Sequence, residues 1–201
     1  MTSLFKYIIT PKGGRYNNTV EIDGNELIVN TDIFNHKHIS REAVVLSVPT
    51  AFNSPIKKGM EVIVHHNIFR RWHDIRGVEK DSASYIDEDK YSCYIDQVYM
   101  YKEDGEWKGI ENYCFIAPVV KDDDFVIQNE KKHIGIVEVG NKYLELLGIK
   151  VGDVVGFTPS SEYEFIVDGQ LMYRMSYEDI CIKYPKGSYK KYTPKLAELD
   201  A

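Results

Sequence analysis

The segment Ile56-Lys-Lys-Gly-Met-Glu-Val62 recurs in nearly the same form as Ile149-Lys-Val-Gly-Asp-Val-Val155. In both segments a basic turn centred on a glycine leads directly into an apolar stretch of strand type. A hydrophobic strand precedes each turn, at 44–48 in the first copy and at 136–139 in the second. These paired turns predict that the chain is one small β unit written twice.

Other landmarks repeat in the same order on both sides of the turns. Each copy has an opening strand that ends in a proline, and each has a closing strand, at 95–101 and at 177–184. The spacing between equivalent residues falls along the chain from 107 to 93 to 82, at the pairs Pro11 and Pro118, Gly59 and Gly152, and Val98 and Ile180. The first copy is therefore longer in its first loop and again between its later strands, as expected when a duplicated fold varies its loops.

The pattern predicts an all-β protein with almost no helix. Asp23-Gly24 and Asp168-Gly169 lie between apolar runs, which is a hairpin signal. A charged, glycine-bearing connector separates the two copies. The expected divisions are a first domain at 1–104, the connector at 105–110, a second domain at 111–185 and a peripheral tail at 186–201.

The composition of the 201 residues limits the kinds of protein that this chain can be. Hydrophobic residues make up 43% of the chain, which is enough for packed cores, and the net charge of −6 disfavours nucleic-acid binding. The three cysteines, Cys93, Cys114 and Cys181, lie in apolar contexts, which predicts buried thiols in a reducing compartment. Without a signal-like or membrane-spanning apolar run, a cytoplasmic location is expected.

Catalytic and metal-binding patterns are missing from the sequence. It contains no glycine-rich nucleotide loop, no P-loop and no zinc-protease or hydrolase motif. His65 and His66 are adjacent, so on a strand they would face opposite sides and could not share a metal ion with His73. The Asp122–Asp124 run lacks the spacing of a calcium loop. We therefore expect no catalytic activity, no cofactor and no metal site.

Three segments of the second copy carry a family resemblance. They are the glycine-flanked strand Gly135–Gly140, the turn and strand Ile149–Val155, and the closing Tyr177-Glu-Asp-Ile180. In this order and at this spacing they resemble the GroES (chaperonin-10) family, with its V-K-x-G-D-x-V turn and its E-x-D-I closing strand. The first copy matches more loosely, and the two matches together cover 4–184.

The resemblance implies two tandem GroES-like, small, partly open β-barrels that assemble into a homo-oligomeric ring. Such a ring caps an ATP-bound, GroEL-like chaperonin and encloses a client protein. The family docks through a mobile loop that ends in a hydrophobic tripeptide. That loop corresponds here to 12–41 with Leu27, Ile28 and Val29, and to 119–133 with Phe125, Val126 and Ile127.

The implied docking mode has a physical basis. A polar loop with one short apolar cluster cannot bury that cluster in itself, and it orders when a partner offers a groove. Each contact is weak because ordering costs entropy, whereas a ring makes several contacts act together.

Several features depart from the family pattern. Both copies lack the family's roof hairpin, as in some phage-encoded co-chaperonins, and the tandem arrangement resembles the chloroplast double-domain form. The insertion at 67–90 has no family equivalent. Its Arg70-Arg71-Trp72 segment could contact a partner, but packing of Trp72 onto the domain is the simpler interpretation. Zinc-dependent alcohol dehydrogenases also contain a GroES-like domain, but they need zinc ligands and a nucleotide-binding domain.

Two readings of the anchors remain open. Leu27, Ile28 and Val29 fit an ordinary hairpin strand after Asp23-Gly24 as well as a docking loop. The function expected first is a co-chaperonin. The alternative is a structural or interaction protein, which could be viral, built on the same duplicated barrel. Its loops would be ordered, and it would bind no chaperonin.

Overall fold

The computed structural model describes residues 2–16, 19–22, 25–28, 38–121, 130–185, 187 and 189–191. The chain divides into two compact units, Met1–Glu106 and Trp107–Ala201. Strands dominate both units, which confirms the all-β prediction.

The first unit is built on one antiparallel sheet and two separate hairpins. The sheet runs in the order β11-β10-β5-β4-β1-β9-β8, while β2 pairs with β3 and β6 pairs with β7. Short 3-10 helices cover His66–Ile68 and Ile95–Gln97. The strands are β1 (Tyr7–Pro11), β2 (Thr19–Ile22), β3 (Asn25–Ile28), β4 (Glu42–Ser47), β5 (Glu61–Val64), β6 (Arg71–His73), β7 (Glu79–Asp81), β8 (Tyr85–Asp87), β9 (Lys90–Cys93) and β10 (Val98–Glu103), and the edge strand β11 (Glu106–Gly109) contains the division between the two units.

The second unit has one sheet in the order β15-β16-β12-β13-β14-β17, with β18 added against β12. A five-residue helix, α1 (Lys142–Leu146), follows β13, and a 3-10 helix covers Tyr177–Asp179. The strands are β12 (Tyr113–Lys121), β13 (Ile134–Val139), β14 (Val154–Phe157), β15 (Tyr163–Val167), β16 (Gln170–Ser176), β17 (Ile180–Lys183) and β18 (Tyr189–Lys191).

Six strands of each unit share one order. The series β10-β5-β4-β1-β9-β8 of the first unit corresponds to β17-β14-β13-β12-β16-β15 of the second. The register also repeats, since Ile9 pairs with Val45 as Ile116 pairs with Val137, and a bulge lies just before each of these pairs. The predicted repeat of one β unit is confirmed. Among the described residues both sheets are open, with edge strands at each end.

The two repeated turns have the same backbone geometry. Gly59 and Gly152 have φ of 88° and 86°, a conformation that favours glycine. Their N–H groups donate to Val45 O at 2.7 Å and to Val137 O at 2.8 Å, so each turn is tied to the strand that precedes it. A glycine at the equivalent position therefore makes the turn into β5 and the turn into β14, and it places each strand beside its partner.

The cores follow the period-2 alternation of the strands. In β4 and in β13 every second residue is buried, and the buried set includes Val45 and Val137. Cys93 and Cys114 are buried as expected, and burial raises the pKa of the Cys114 thiol to about 12. The prediction for Cys181 is wrong because β17 is an edge strand and its thiol is exposed.

Several elements differ from the expectations. The connector expected at 105–110 contains strand β11, and the segment 91–101 is divided by a 3-10 helix into β9 and β10. Helix is scarce, as expected, and the five-residue α1 forms where Asn141 Oδ1 accepts the N–H groups of Tyr143 and Leu144. None of the helices in the described ranges has the length and apolar content that a bilayer span requires.

The extra segment of the first unit is shorter than the expected 67–90. The β8–β9 hairpin occupies the same place in the sheet order as β15–β16, so it belongs to the repeat. Within this segment, the 3-10 helix at 66–68 and the β6–β7 hairpin have no counterpart among the described residues of the second unit. The predicted hairpins about Asp23-Gly24 and Asp168-Gly169 are both confirmed.

Candidate partner-binding sites

The expected docking residues fall into two groups. Leu27 and Ile28 lie in β3 and pair with Val20 and Thr19 of β2. Val29 and the whole Phe125, Val126, Ile127 tripeptide lie outside the described residues.

The first loop of the first unit is closed at its base. Lys12 N donates to Glu42 O at 3.0 Å, and Ser40 N donates to Arg15 O at 2.9 Å. The Lys12 Nζ atom also lies 2.9 Å from Glu61 Oε2. The β2–β3 hairpin therefore emerges from a root that is fixed to β4 and β5.

The equivalent loop of the second unit is closed by other contacts. Lys131 N donates to Val119 O at 2.8 Å, and the Tyr173 hydroxyl donates to Glu130 Oε2 at 2.7 Å. Burial raises the pKa of Glu130, while the Tyr173 hydrogen bond lowers it. The tail was expected to be peripheral, but β18 pairs with the end of β12 at this root, with Lys191 opposite Val119.

The β6–β7 hairpin of the first unit is rooted in the core. Ile68 and Phe69, just before it, are fully buried, and the Phe69 ring packs edge-on against Tyr91 at 4.9 Å. After the hairpin, Ser82 Oγ donates to Ile68 O at 2.6 Å. Both ends of the inserted segment are therefore held by the sheet.

The root of the first loop and the root of this hairpin are joined. Arg15 Nη1 lies 2.7 Å from Asp81 Oδ1, and Arg15 Nε donates to Phe69 O at 3.2 Å. From the hairpin, Arg71 N donates to the Tyr16 hydroxyl at 2.9 Å, and the guanidinium of Arg71 lies 4.9 Å from the centre of that ring. The two segments that lengthen the first unit thus form one connected structure at their bases.

The side chain of Trp72, for which packing onto the domain was the simpler interpretation, is partly exposed. It is 44% exposed, and its indole N–H donates to Asp81 O of its own hairpin at 3.3 Å. Trp72 sits on β6 opposite Lys80 of β7. It borders an open cleft of about 480 Å³, whose other lining residues are Asn67, Arg70, His73 and Ser82.

The second unit has a polar cleft of about 320 Å³ beside β16. Arg174 lies between two aromatic rings there, 5.1 Å from the centre of Tyr113 and 4.5 Å from that of Tyr163. The carboxylate of Asp179 in the cleft accepts from Thr158 Oγ1 at 3.0 Å and from Ser176 N at 3.2 Å. The Oδ2 atom of Asp179 therefore caps the 3-10 helix that precedes β17, while its Oδ1 atom ties Thr158 to that helix.

The histidines at the end of β5 are arranged differently from the expectation. The rings of His65 and His66 stack with their centres 4.4 Å apart, because the strand ends at Val64 and a 3-10 helix begins at His66. His65 Nδ1 accepts the Asn67 N–H at 3.1 Å. In the described ranges, no three His, Cys, Asp or Glu side chains come together to hold a metal ion.

Sequence reasoning missed the β6–β7 hairpin as a structured element. Its strands are only three residues long and mostly charged, so they lack apolar periodicity. A signal was present in Asp74-x-x-Gly77, since Asp and Gly at this spacing are typical of a tight turn. The contacts of Arg15, which is distant in sequence, could not be read from a local pattern.

No protein-family model matches the chain, and no match was found among curated proteins.

Proposed function

We propose that this chain is a co-chaperonin of the GroES type, a cap that docks on an ATP-bound chaperonin ring and encloses a client protein. The proposed form is a homo-oligomer of chains with two GroES-like, partly open barrels each, in the cytoplasm. ATP is bound and hydrolysed by the partner, and the chain itself performs no catalysis.

The observation that carries this proposal is the placement of the three family-like segments. In the second unit they lie on β13, β14 and the 3-10 helix with β17, which are neighbours in that order in the sheet. In the first unit the looser counterparts lie on β4, β5 and the 3-10 helix with β10, again as neighbours. Segments that are far apart in sequence therefore form one continuous part of each sheet, which supports a common fold for the two units.

The family-like residues also have definite structural tasks. A Cβ atom at Gly135 would lie 2.3 Å from Ile116 Cγ2 and 2.5 Å from Ala117 O, so β12 and β13 approach too closely for a side chain. Gly152 makes the turn into β14, and Asp179 caps the 3-10 helix that leads into β17. Each of these residues is needed for the sheet to form, so the motif indicates the fold of the unit. Binding to a chaperonin would have to come from the docking loops.

The loops after β1 and β12 are the proposed docking elements. Each follows the opening strand of its unit and is closed at the base, at Ser40 N to Arg15 O and at Lys131 N to Val119 O. Leu27 and Ile28 are the proposed anchors in the first unit, with Val29, and Phe125, Val126 and Ile127 are the proposed anchors in the second.

ATP-dependent co-sedimentation with a purified GroEL-type chaperonin tests this function. The wild-type chain is expected to sediment with the ring when ATP is present, and the double variant Leu27→Ser, Ile28→Ser is expected to lose most of that binding. Ile166→Ser is the matched control, because it also removes an apolar side chain from a strand, and Ile166 is exposed on β15 of the second unit. Equal sedimentation of the wild type with and without chaperonin would exclude a co-chaperonin.

The alternative, an interaction protein that binds no chaperonin, is favoured by one observation. Leu27 and Ile28 belong to a paired strand rather than to an isolated loop segment. Amide hydrogen exchange of 25–28 separates the two functions. A co-chaperonin is expected to slow exchange there when the ATP-bound ring is added, whereas the alternative predicts the same exchange in both conditions.

A further inference from the structure

The opening strand of the second unit loses one of its neighbours before it ends. The pairing of β12 with β16 stops at Ile116 and Tyr173, although β12 itself continues to Lys121. Pro118 follows two residues after this last pair, and a proline has no N–H group to donate to a neighbouring strand. The end of β12, at 119–121, therefore continues without β16 beside it.

The tail of the chain covers this end of β12. Its three residues in β18, Tyr189–Lys191, lie antiparallel to 119–121, with Lys191 opposite Val119. A strand edge with nothing beside it invites pairing with other chains, and β18 prevents this from within the same chain. Lys131 N also donates to Val119 O at 2.8 Å. The root of the second loop is thus held by β18 and by the segment that follows the loop.

Side chains connect β18 to the strands on either side of β12. Lys191 Nζ lies 2.8 Å from Glu138 Oε1 of β13 and donates to Gln170 Oε1 of β16 at 2.8 Å. The Tyr189 ring packs edge-on against Tyr184, with the ring centres 6.1 Å apart. A single lysine therefore joins β18 to two other strands of the sheet.

The first unit holds the equivalent place with a different segment. Its pairing of β1 with β9 ends at Ile9 and Tyr91, again two residues before the opening proline, Pro11. Beyond that proline, Arg15 Nε donates to Phe69 O at 3.2 Å, at the base of the β6–β7 hairpin. The described part of the second unit has no such hairpin, and β18 is found there instead. Two unrelated segments thus restrain the exits of two equivalent strands.

The hold of β18 on the sheet depends on partly exposed contacts. The strand has only three residues, and of these Lys190 is exposed. The side chains of Lys191 and Glu138 are 32% and 25% exposed. Ion pairs that water and salt can reach are weakened as the ionic strength rises. The contact that joins β18 to β13 should therefore respond to salt.

We propose that β18 is a salt-sensitive strap, which orders the root of the second loop and loosens that root when the Lys191–Glu138 pair is screened or broken. The strap is a property of the chain alone. Its part in docking rests on the proposed co-chaperonin function. With the strap closed, fewer residues lose freedom when the loop binds a partner, so that binding costs less entropy.

Amide hydrogen exchange of the full-length chain tests the strap without any partner. Lys191→Glu places two carboxylates together, and exchange at 119–121 is expected to become roughly fivefold faster at low salt, as for the loss of one partly exposed ion pair. Lys191→Met should act in the same direction but less strongly, because it adds no repulsion. Lys150→Glu is the matched control, since Lys150 is exposed in a turn of the second unit, and it should leave 119–121 unchanged.

Salt provides the second comparison. Exchange at 119–121 in the wild type is expected to accelerate as salt is raised toward about 1 M, and the difference from Lys191→Glu is expected to shrink. Equal exchange in the wild type and Lys191→Glu at low salt would overturn the strap. A difference that persists unchanged at high salt would overturn its sensitivity to salt.

Affinity for a purified GroEL-type ring saturated with ATP tests the part in docking. Lys191→Glu is expected to bind roughly two- to fivefold more weakly than the wild type, because more of the root must be ordered on binding. Faster exchange with unchanged affinity would exclude the strap from docking. If the wild type does not bind the ring, the co-chaperonin function fails, while the exchange data still decide whether the strap exists.

Discussion

Met60 and Asp153 occupy the same position in the two repeated turns, and both accept a hydrogen bond from the lysine three residues earlier. Met60 Sδ accepts Lys57 N at 3.3 Å, and Asp153 Oδ2 accepts Lys150 N at 2.9 Å. Asp153 is 2% exposed, and its Oδ2 atom also lies 2.6 Å from Lys183 Nζ. The two units thus close one backbone turn with different side-chain chemistry.

Asp153→Ala is expected to destabilise the second unit by about 2 to 3 kcal/mol. It leaves the Lys150 N–H without its acceptor and removes the partner of Lys183, although Lys183 can regain water because its side chain is 44% exposed. Urea unfolding followed separately for each unit measures the effect. Met60→Leu is the matched change in the first unit, and we expect it to cost less than about 1.5 kcal/mol. Equal losses would contradict the distinct roles of these side chains.

Gly135→Ala is expected to destabilise the second unit by about 1 to 3 kcal/mol, the range typical of overpacking. The new Cβ would meet Ile116 Cγ2 at 2.3 Å and Ala117 O at 2.5 Å, so β12 and β13 must separate. Alanine already occupies the equivalent position in the first unit, at Ala43. Thermal unfolding of Gly135→Ala beside Gly14→Ala, where the nearest atom is Tyr16 O at 3.7 Å, measures the effect. An unchanged unfolding temperature for Gly135→Ala would contradict the close approach.

Glu130→Gln is expected to change how stability depends on pH. Burial and the nearby carboxylates Glu164 and Glu162 raise the pKa of Glu130 against the Tyr173 hydrogen bond. A carboxyl whose pKa is higher in the folded state contributes stability at low pH, and that contribution is lost as pH rises through the folded value. Glutamine keeps an acceptor for the Tyr173 hydroxyl without the charge.

The unfolding temperatures of the wild type and Glu130→Gln are therefore expected to converge below about pH 4, where glutamate is protonated in the unfolded chain. They are expected to diverge in favour of the variant as pH rises. Glu145→Gln is the control, because Glu145 is exposed on α1 and is not one of the carboxylates that raise the pKa of Glu130. A wild type that is more stable than Glu130→Gln at pH 8 would contradict the assignment.

The sheets could be predicted to a large extent because their signals are local. Alternation in β4 and β13, the positive-φ glycines Gly59 and Gly152, and the Asp168-Gly169 turn each specify a strand or a turn within a few residues. Exposure of Cys181 was not predictable in this way. It depends on β17 lying at the edge of the sheet, which is a property of the strand order and not of the local sequence.

The candidate sites were less predictable for the same reason. Leu27 and Ile28 were assigned as anchors through the family resemblance, and their short apolar run fitted an ordinary hairpin strand equally well; the structure shows their pairing with β2. The link between the β6–β7 hairpin and the root of the first loop depends on Arg15 meeting Asp81 at 2.7 Å across a long sequence separation. The tertiary fold determines contacts of this kind. From the local sequence alone, the charged residues around Ile75 indicate only a solvated loop.

Arg15→Met is expected to loosen both long segments of the first unit at once. The substitution removes the ion pair with Asp81, the hydrogen bond to Phe69 O and the stacking of the guanidinium on Tyr91, whose centre lies 5.3 Å away. We expect a loss of about 1 to 3 kcal/mol, as for hydrogen bonds made by a charged group. Amide exchange at 71–73 and 79–81 is expected to accelerate, together with exchange in β2 and β3.

Lys12→Met separates this coupling from a general loss of surface charge. Lys12 also lies at the root of the first loop, but its Nζ atom pairs with Glu61 of the sheet and not with the hairpin. It is more exposed than Arg15, so its ion pair is worth less than about 1 kcal/mol. Exchange in β6 and β7 should therefore stay unchanged in Lys12→Met. Equal acceleration in the two variants would mean that the loop and the hairpin are not coupled through Arg15.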